Sequence, residues 1–138
     1  MLRHSILMCL ALCITGCTTQ STNTNASANL PASEQTTKMI GEWGVDGEVS
    51  LIVSKNGDQI VLSAPANDTW RMDLYDAKEA NGTVTFVQKN NLHSGEAHPF
   101  NGVACNTTIR LVDSDRIEMT MTTVHTPKGE PELLVRIK

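Results

Sequence analysis

The chain has 138 residues, and its 15 Asp and Glu side chains outnumber its 11 Lys and Arg side chains, which gives a formal net charge of −4. The two signs are interspersed and form no basic stripe. We therefore expect neither nucleic acid nor an anionic lipid surface as a partner of the folded part. The length is enough for one domain with its own hydrophobic core.

The first 16 residues have the order of an export signal. A basic start, residues 1–4, precedes an apolar run, residues 6–14, that is too short to span a bilayer. Small residues then lead directly into Cys17. The sequence therefore predicts a signal peptide over residues 1–16 and a protein that leaves the cytoplasm.

The junction Ile14-Thr15-Gly16-Cys17 resembles the lipobox of bacterial lipoproteins. This resemblance implies cleavage before Cys17, lipidation of its thiol and acylation of the new amino terminus, and several acyl chains make a practically permanent membrane anchor. Residue 18 is Thr and not an acidic retention signal. In a cell with two membranes, the resemblance therefore implies an outer-membrane lipoprotein that faces the periplasm. The alternative is an ordinary cleaved signal followed by a coincidental cysteine.

The next stretch, residues 17–37, is rich in Ser, Thr, Asn and Gln. It has almost no large apolar side chain that could offset the entropy of ordering, so we interpret it as a disordered tether behind the lipidated cysteine. Residues 38–138 then form a single all-β domain, which we expect to be monomeric.

Apolar and polar residues alternate with period two across most of this domain, which predicts half-buried strands. The eight predicted strands lie near 39–45, 48–54, 59–64, 69–75, 83–89, 104–112, 116–124 and 132–137. Residues 76–80 favour a single helical turn. A meander of eight short antiparallel strands closes most simply into a small up-and-down barrel, because closure removes the exposed edges. A two-sheet β-sandwich is the alternative fold.

The triplet Gly41-Glu42-Trp43 resembles the Gly-x-Trp of lipocalins and related calycin barrels. The resemblance implies that Trp43 closes one end of the barrel and that an arginine from the last strand packs across it, for which Arg136 is the candidate. The alternation in the last strand predicts an inward face made of Leu133, Val135 and Ile137. That phase would turn Arg136 outward.

The alternation also predicts the surroundings of single side chains. Counting outward from Ser114 places Arg110 opposite Glu118 on the polar faces of two strands, so we expect an ion pair. Cys105 leads an alternating apolar run, and we expect it to be buried. It is the only thiol left once the signal is removed and Cys17 is lipidated, so the domain can form no internal disulfide.

The sequence contains no Gly-x-Ser-x-Gly elbow, phosphate-binding glycine loop, His-Glu-x-x-His or Cys-x-x-Cys. We therefore expect no enzymatic activity and no cofactor, and an envelope hydrolase ranks last among the functions considered. His93, Glu96 and His98 lie in the longest loop, and His125 lies in a later one. Their spacing matches no standard set of metal ligands, so no metal is expected.

Two functional hypotheses remain. The first is a non-catalytic protein-binding module of the inhibitor, immunity or envelope accessory type, because long loops on a rigid barrel carry recognition. Its expected contact residues are His93, Glu96, His98 and Phe100. The alternative is a carrier of a small apolar ligand, with expected contacts from Trp43, Trp70, Met72 and Met119. A ligand-sized cavity inside the barrel would favour the carrier.

Overall fold

The computed structural model describes residues 25–138 and shows an all-β protein with nine strands and one short helix in that range. In chain order the elements are β1 (Ala28–Pro31), α1 (Glu34–Lys38), β2 (Gly41–Val45), β3 (Glu48–Asn56), β4 (Gln59–Ser63), β5 (Trp70–Ala80), β6 (Thr83–Leu92), β7 (Ala104–Asp113), β8 (Arg116–Thr122) and β9 (Pro131–Arg136). Within the described part, no helix is long and apolar enough to cross a membrane.

All nine strands belong to one antiparallel sheet, in the order β1-β4-β3-β2-β9-β8-β7-β6-β5. β2 pairs with β9 through Trp43 and Arg136, so the first and last of the eight expected strands meet. β1 fills the gap between β4 and β5. It pairs with β4, and Leu74 N in β5 donates to the carbonyl of Ala26 at 2.9 Å. The sheet is a nearly closed barrel, which confirms the predicted fold class.

β1 and α1 lie in the stretch that we interpreted as a tether, and that interpretation is wrong for residues 25–37. Ala28 and Leu30 alternate inward and are buried, and their burial offsets part of the cost of ordering. The backbone of β1 also covers the edge of β4. The signal, Cys17 and the remainder of the tether lie within residues 1–24, outside the described residues.

β5 is longer than expected. Residues 76–80, expected as a helical turn, instead continue the strand, and this expectation is wrong. A bulge between Tyr75 and Lys78, with Asp76 at φ 55°, absorbs the local irregularity and keeps the pairing with β6.

The hairpin of β7 and β8 has the expected register. A turn centred on Ser114 would pair Asp113 with Asp115, but Asp113 pairs with Arg116 instead. A bulge at Val112 then restores the expected register from Leu111 onward. Arg110 therefore faces Glu118, and Arg110 Nε donates to Glu118 Oε1 at 2.8 Å. The predicted ion pair is confirmed.

The barrel has two ends of different construction. The end that we call the closed end carries α1, the turns after β3, β5 and β7, and the last residues of the chain. Hydrogen bonds join these pieces, from Ala32 N to Asp58 O at 2.9 Å and from Arg136 Nε to Ser114 O at 2.8 Å. The open end carries the turn after β2 and three longer connections, residues 64–69, 93–103 and 123–130.

Side chains fill the part of the barrel next to the closed end. Trp43, Ile109, Ile117 and Leu134 are completely buried there. Nearer the open end, the inward positions are less covered, and Met121 on β8 is 37 % exposed. This gradient leaves space inside the open half of the barrel.

Candidate ligand-binding cavity

A cavity of about 750 Å³ opens at the open end of the barrel. Strands β5, β7 and β8 supply its deeper wall, and residues 98–100 and 123–130 supply its rim. The apolar part of the lining consists of Trp70, Phe100, Cys105, Met119, Met121 and Pro127. A volume of this size and a mostly apolar lining are typical of sites for small molecules.

The strand period explains why these side chains face the cavity. Trp70 shares a face of β5 with the buried Leu74, and Cys105 shares a face of β7 with the buried Ile109. Met119 and Met121 follow the buried Ile117 in the same way. The cavity is therefore the part of the barrel interior next to the open end and not a groove on the outer wall.

Four rings form a row across the mouth, which we call the aromatic rim: Trp70, His98, Phe100 and His125. Successive ring centroids are 5.2, 6.0 and 5.3 Å apart. His125 Nε2 also lies 3.0 Å from the carbonyl oxygen of Pro99. Edge-to-face ring contacts of this kind are favourable. The rim thus joins the loop after β6 to the loop after β8, with Phe100 in the middle and 38 % exposed.

Two polar side chains on the inward face of β7 are buried, and one of them, Cys105, lines the cavity. Cys105 is buried as expected, and burial raises the pKa of its thiol, so the thiol stays protonated and is a poor nucleophile. Thr107 is the next inward residue, paired with Met121 of the lining. Its Oγ1 is the one buried side-chain oxygen or nitrogen in the described residues that has no hydrogen-bond partner. An unpartnered buried hydroxyl is uncommon and marks an interior that is not fully satisfied.

The mouth also carries three charged side chains. Lys128, Glu130 and Glu132 line the cavity and are exposed. None of the three takes part in an ion pair within the described part of the chain. The mouth therefore combines an apolar interior with a mixed, slightly acidic edge.

The structure brings together residues from both functional hypotheses. Trp70 and Met119, expected in a carrier, line the same cavity as His98 and Phe100, expected in a protein-binding loop. The sequence analysis placed these side chains in two separate sites, whereas in the structure the long loop folds back over the mouth. That return is a tertiary contact with no local signal.

The other four expected site residues lie elsewhere. Met72 packs against the core below Trp70 and does not line the cavity. His93 points toward the β4–β5 connection, where its Nε2 lies 2.9 Å from Asn67 O, and Glu96 is exposed on the loop. Trp43 is completely buried at the closed end and does not line the cavity.

Trp43 is held by Arg136. The guanidinium carbon of Arg136 lies 4.2 Å from the centre of the Trp43 ring, and Trp43 Nε1 donates to Met39 O at 2.8 Å. Arg136 also donates to the carbonyls of Lys38, at 3.1 Å, and Ile40. One side chain thus joins the end of α1, β2 and β9.

The predicted phase of the last strand is therefore wrong. Leu134 and Arg136 face inward, whereas Leu133 and Val135 are 45 % and 43 % exposed. A run of consecutive apolar residues has two possible phases, and the contact with Trp43 determines which one is adopted.

Comparison with protein families, curated proteins and solved structures found no match to this chain.

Two parts of the cavity lining were not predicted from the sequence. Cys105 was expected to be buried but not as part of a site, and the loop that contains His125 was not expected to form the rim of a cavity. The signal available for them was position, because all lie at the same end of their strands as the long loop. Within residues 25–138, no cluster of three or more His, Cys, Asp or Glu side chains is suited to a metal ion.

Proposed function

We propose that this protein binds a small apolar molecule in the cavity at the open end of its barrel. The observation that carries this proposal is the cavity of about 750 Å³, whose lining surface is mostly apolar and includes Trp70, Phe100, Cys105, Met119 and Met121. A barrel of this size can fill its interior with its own side chains. Here only the half near the closed end is filled in that way.

The character of the lining supports binding and not chemistry. Met119 and Met121 are flexible and polarisable, so they adapt to an apolar ligand and make favourable contacts with aromatic groups. Burial raises the pKa of the Cys105 thiol, which disfavours the reactive thiolate.

We also propose that the barrel acts at the cell envelope, anchored through Cys17 to the outer membrane and facing the periplasm. The lipobox-like residues that precede Cys17 support this location. Cys17→Ser should release the chain from the membrane fraction or leave an unprocessed precursor. Equal membrane recovery and normal processing of the variant would contradict the anchor.

Ligand binding is tested with N-phenyl-1-naphthylamine, a neutral apolar dye whose fluorescence rises in apolar sites. The signal-free chain carrying Cys17→Ser should bind it with a 1:1 stoichiometry. Met121→Glu places a charge in the cavity, and we expect it to weaken dye binding at least about tenfold, because a desolvated carboxylate is costly.

Val135→Glu is the matched control, since Val135 is similarly exposed but lies on the outer face of β9. It should bind the dye as the parent chain does. Absence of dye binding to the parent, or equal binding by the two variants, would reject the carrier function.

A non-catalytic protein-binding module is the second candidate. The half-exposed Phe100 favours it, because large aromatic side chains on loops often act as interface anchors. The two functions separate on one pair of variants. A protein partner that binds the loop should lose more affinity with Phe100→Ala than with Met121→Glu, because Met121 lies on β8 and not on the loop.

A further inference from the structure

The described chain enters the barrel at the open end, next to the cavity. Asn25 Nδ2 donates to Pro65 O at 3.0 Å, and Met72 N donates to Asn25 Oδ1 at 3.0 Å. Met72 is two residues from Trp70 of the aromatic rim. From there β1 runs antiparallel to β4, away from the mouth and toward the closed end. The first described residue is thus fixed beside the mouth.

Covalent geometry limits the distance between this point and Cys17. Seven residues, 18–24, separate Cys17 from Asn25. Even a fully extended chain rises only about 3.3–3.6 Å per residue, so the mouth lies within roughly 30 Å of an anchor at Cys17. β5 alone has 11 residues, which is about 35 Å along the strand, so the closed end lies well beyond the mouth.

The open end also carries exposed apolar side chains. Val124 is 80 % exposed on the loop after β8, and Phe100 and Met121 beside it are 38 % and 37 % exposed. Exposed apolar side chains gathered around one opening mark a surface that contacts apolar material. Here Phe100 and Met121 line the entrance to the cavity, and Val124 is the residue before His125 of the aromatic rim.

We infer that the open end faces the bilayer that holds Cys17, so that the cavity exchanges its apolar occupant directly with the lipid surface. This inference rests on the proposed function and adds the partner surface and the route of loading. The mixed charges of Lys128, Glu130 and Glu132 give no strong attraction to anionic lipid. The partner is therefore a zwitterionic lipid surface, held in reach by the anchor.

The test uses the full lipidated chain in phosphatidylcholine liposomes that contain a lipid with a nitroxide quencher. A fluorophore is attached in turn to Val124→Cys at the open end and to Ser114→Cys in the turn after β7 at the closed end. Wild type treated with the same reagent controls for labelling of the buried Cys105. Quenching should be several-fold stronger at position 124 than at position 114.

The two native tryptophans give a second measurement without a label. Trp70 lies at the mouth and Trp43 at the closed end. The quencher should reduce wild-type tryptophan emission, and Trp70→Phe should remove most of the quenchable part.

Equal quenching at positions 124 and 114, or stronger quenching at 114, would overturn the inference. A lipidated chain that does not float with the liposomes would overturn it as well. The dye titration of the Cys17→Ser chain needs no membrane, so it can succeed while the orientation test fails, and the two results are distinguishable.

Discussion

The two ends of this barrel contain similar side chains, but one end is packed and the other opens into a cavity. At the closed end, Trp43 lies under Arg136, and its indole nitrogen has a carbonyl partner. At the open end, Trp70 also contacts a nitrogen-bearing side chain, His98, but these two rings line the mouth of the cavity. A tryptophan next to a nitrogen-bearing side chain thus belongs to a packed interior at one end and borders the cavity at the other. We expect mutations at the closed end to affect folding and mutations at the open end to affect binding.

The largest expected effect is at the closed end. Trp43→Ala should lower the free energy of unfolding by about 3–5 kcal/mol, because it leaves a large void under Arg136. Urea unfolding, followed by the emission of Trp70, measures the loss. Trp70→Ala, followed by circular dichroism, is the matched change at the open end and should cost clearly less. Similar losses at both ends would remove the distinction between them.

Arg136→Lys should have the next largest effect. Lysine keeps the charge but lacks the planar fork that reaches Lys38 O, Ile40 O and Ser114 O together, so we expect a loss of about 1–3 kcal/mol. Thermal unfolding measures it. Arg71→Lys is the control, since Arg71 makes one exposed ion pair with Asp73. An Arg136→Lys protein as stable as wild type would show that the closed end depends on charge alone.

Phe100→Ala reverses the pattern at the open end. Phe100 joins His98 to His125 across the mouth but is only half-buried. We expect dye affinity to fall by about 1–2 kcal/mol, while stability changes by less than about 1 kcal/mol. Dye titration and urea unfolding on the same samples measure both. A loss of several kcal/mol in stability would place Phe100 in the core instead.

The smallest expected effect concerns acid. The hydrogen bond from Arg110 lowers the pKa of the Glu118 carboxyl below its ordinary value of 4.5. The folded state therefore binds this proton less readily than the unfolded state. The resulting stabilisation is complete above pH 4.5 and is lost as the pH falls through the lowered pKa.

Glu118→Gln should thus be slightly less stable than wild type at neutral pH, and the difference should vanish in acid. Unfolding curves at a series of pH values measure this. Glu132→Gln is the control, because Glu132 makes no ion pair within residues 25–138. A difference between wild type and Glu118→Gln that persists in acid would argue against the ion pair as its source.

Alternation and turn residues were enough to predict the barrel class, the eight strands β2 to β9 and the register of Arg110 with Glu118, because each depends on local period and hairpin geometry. β1 was not predicted, since Ala28 and Leu30 alone give a weak pattern. These residues are ordered by their pairing with the edge of β4. The cavity itself was not predicted, although Trp70 and Met119 of its wall were expected contacts of a carrier. Its walls followed from strand phase, whereas its roof of His98 and Phe100 depends on a loop that returns across the barrel.

Arg136 has a consequence for the order in which the barrel can fold. Its hydrogen bonds to Lys38 O and Ser114 O join residues 98 and 22 positions apart, and it lies two residues from the end of the described chain. Long-range contacts of this kind form late and slow the folding of β proteins. Strand β9 cannot pair with β2 before residues 131–136 have been synthesised. Closure of the barrel through Arg136 is therefore a late step of folding.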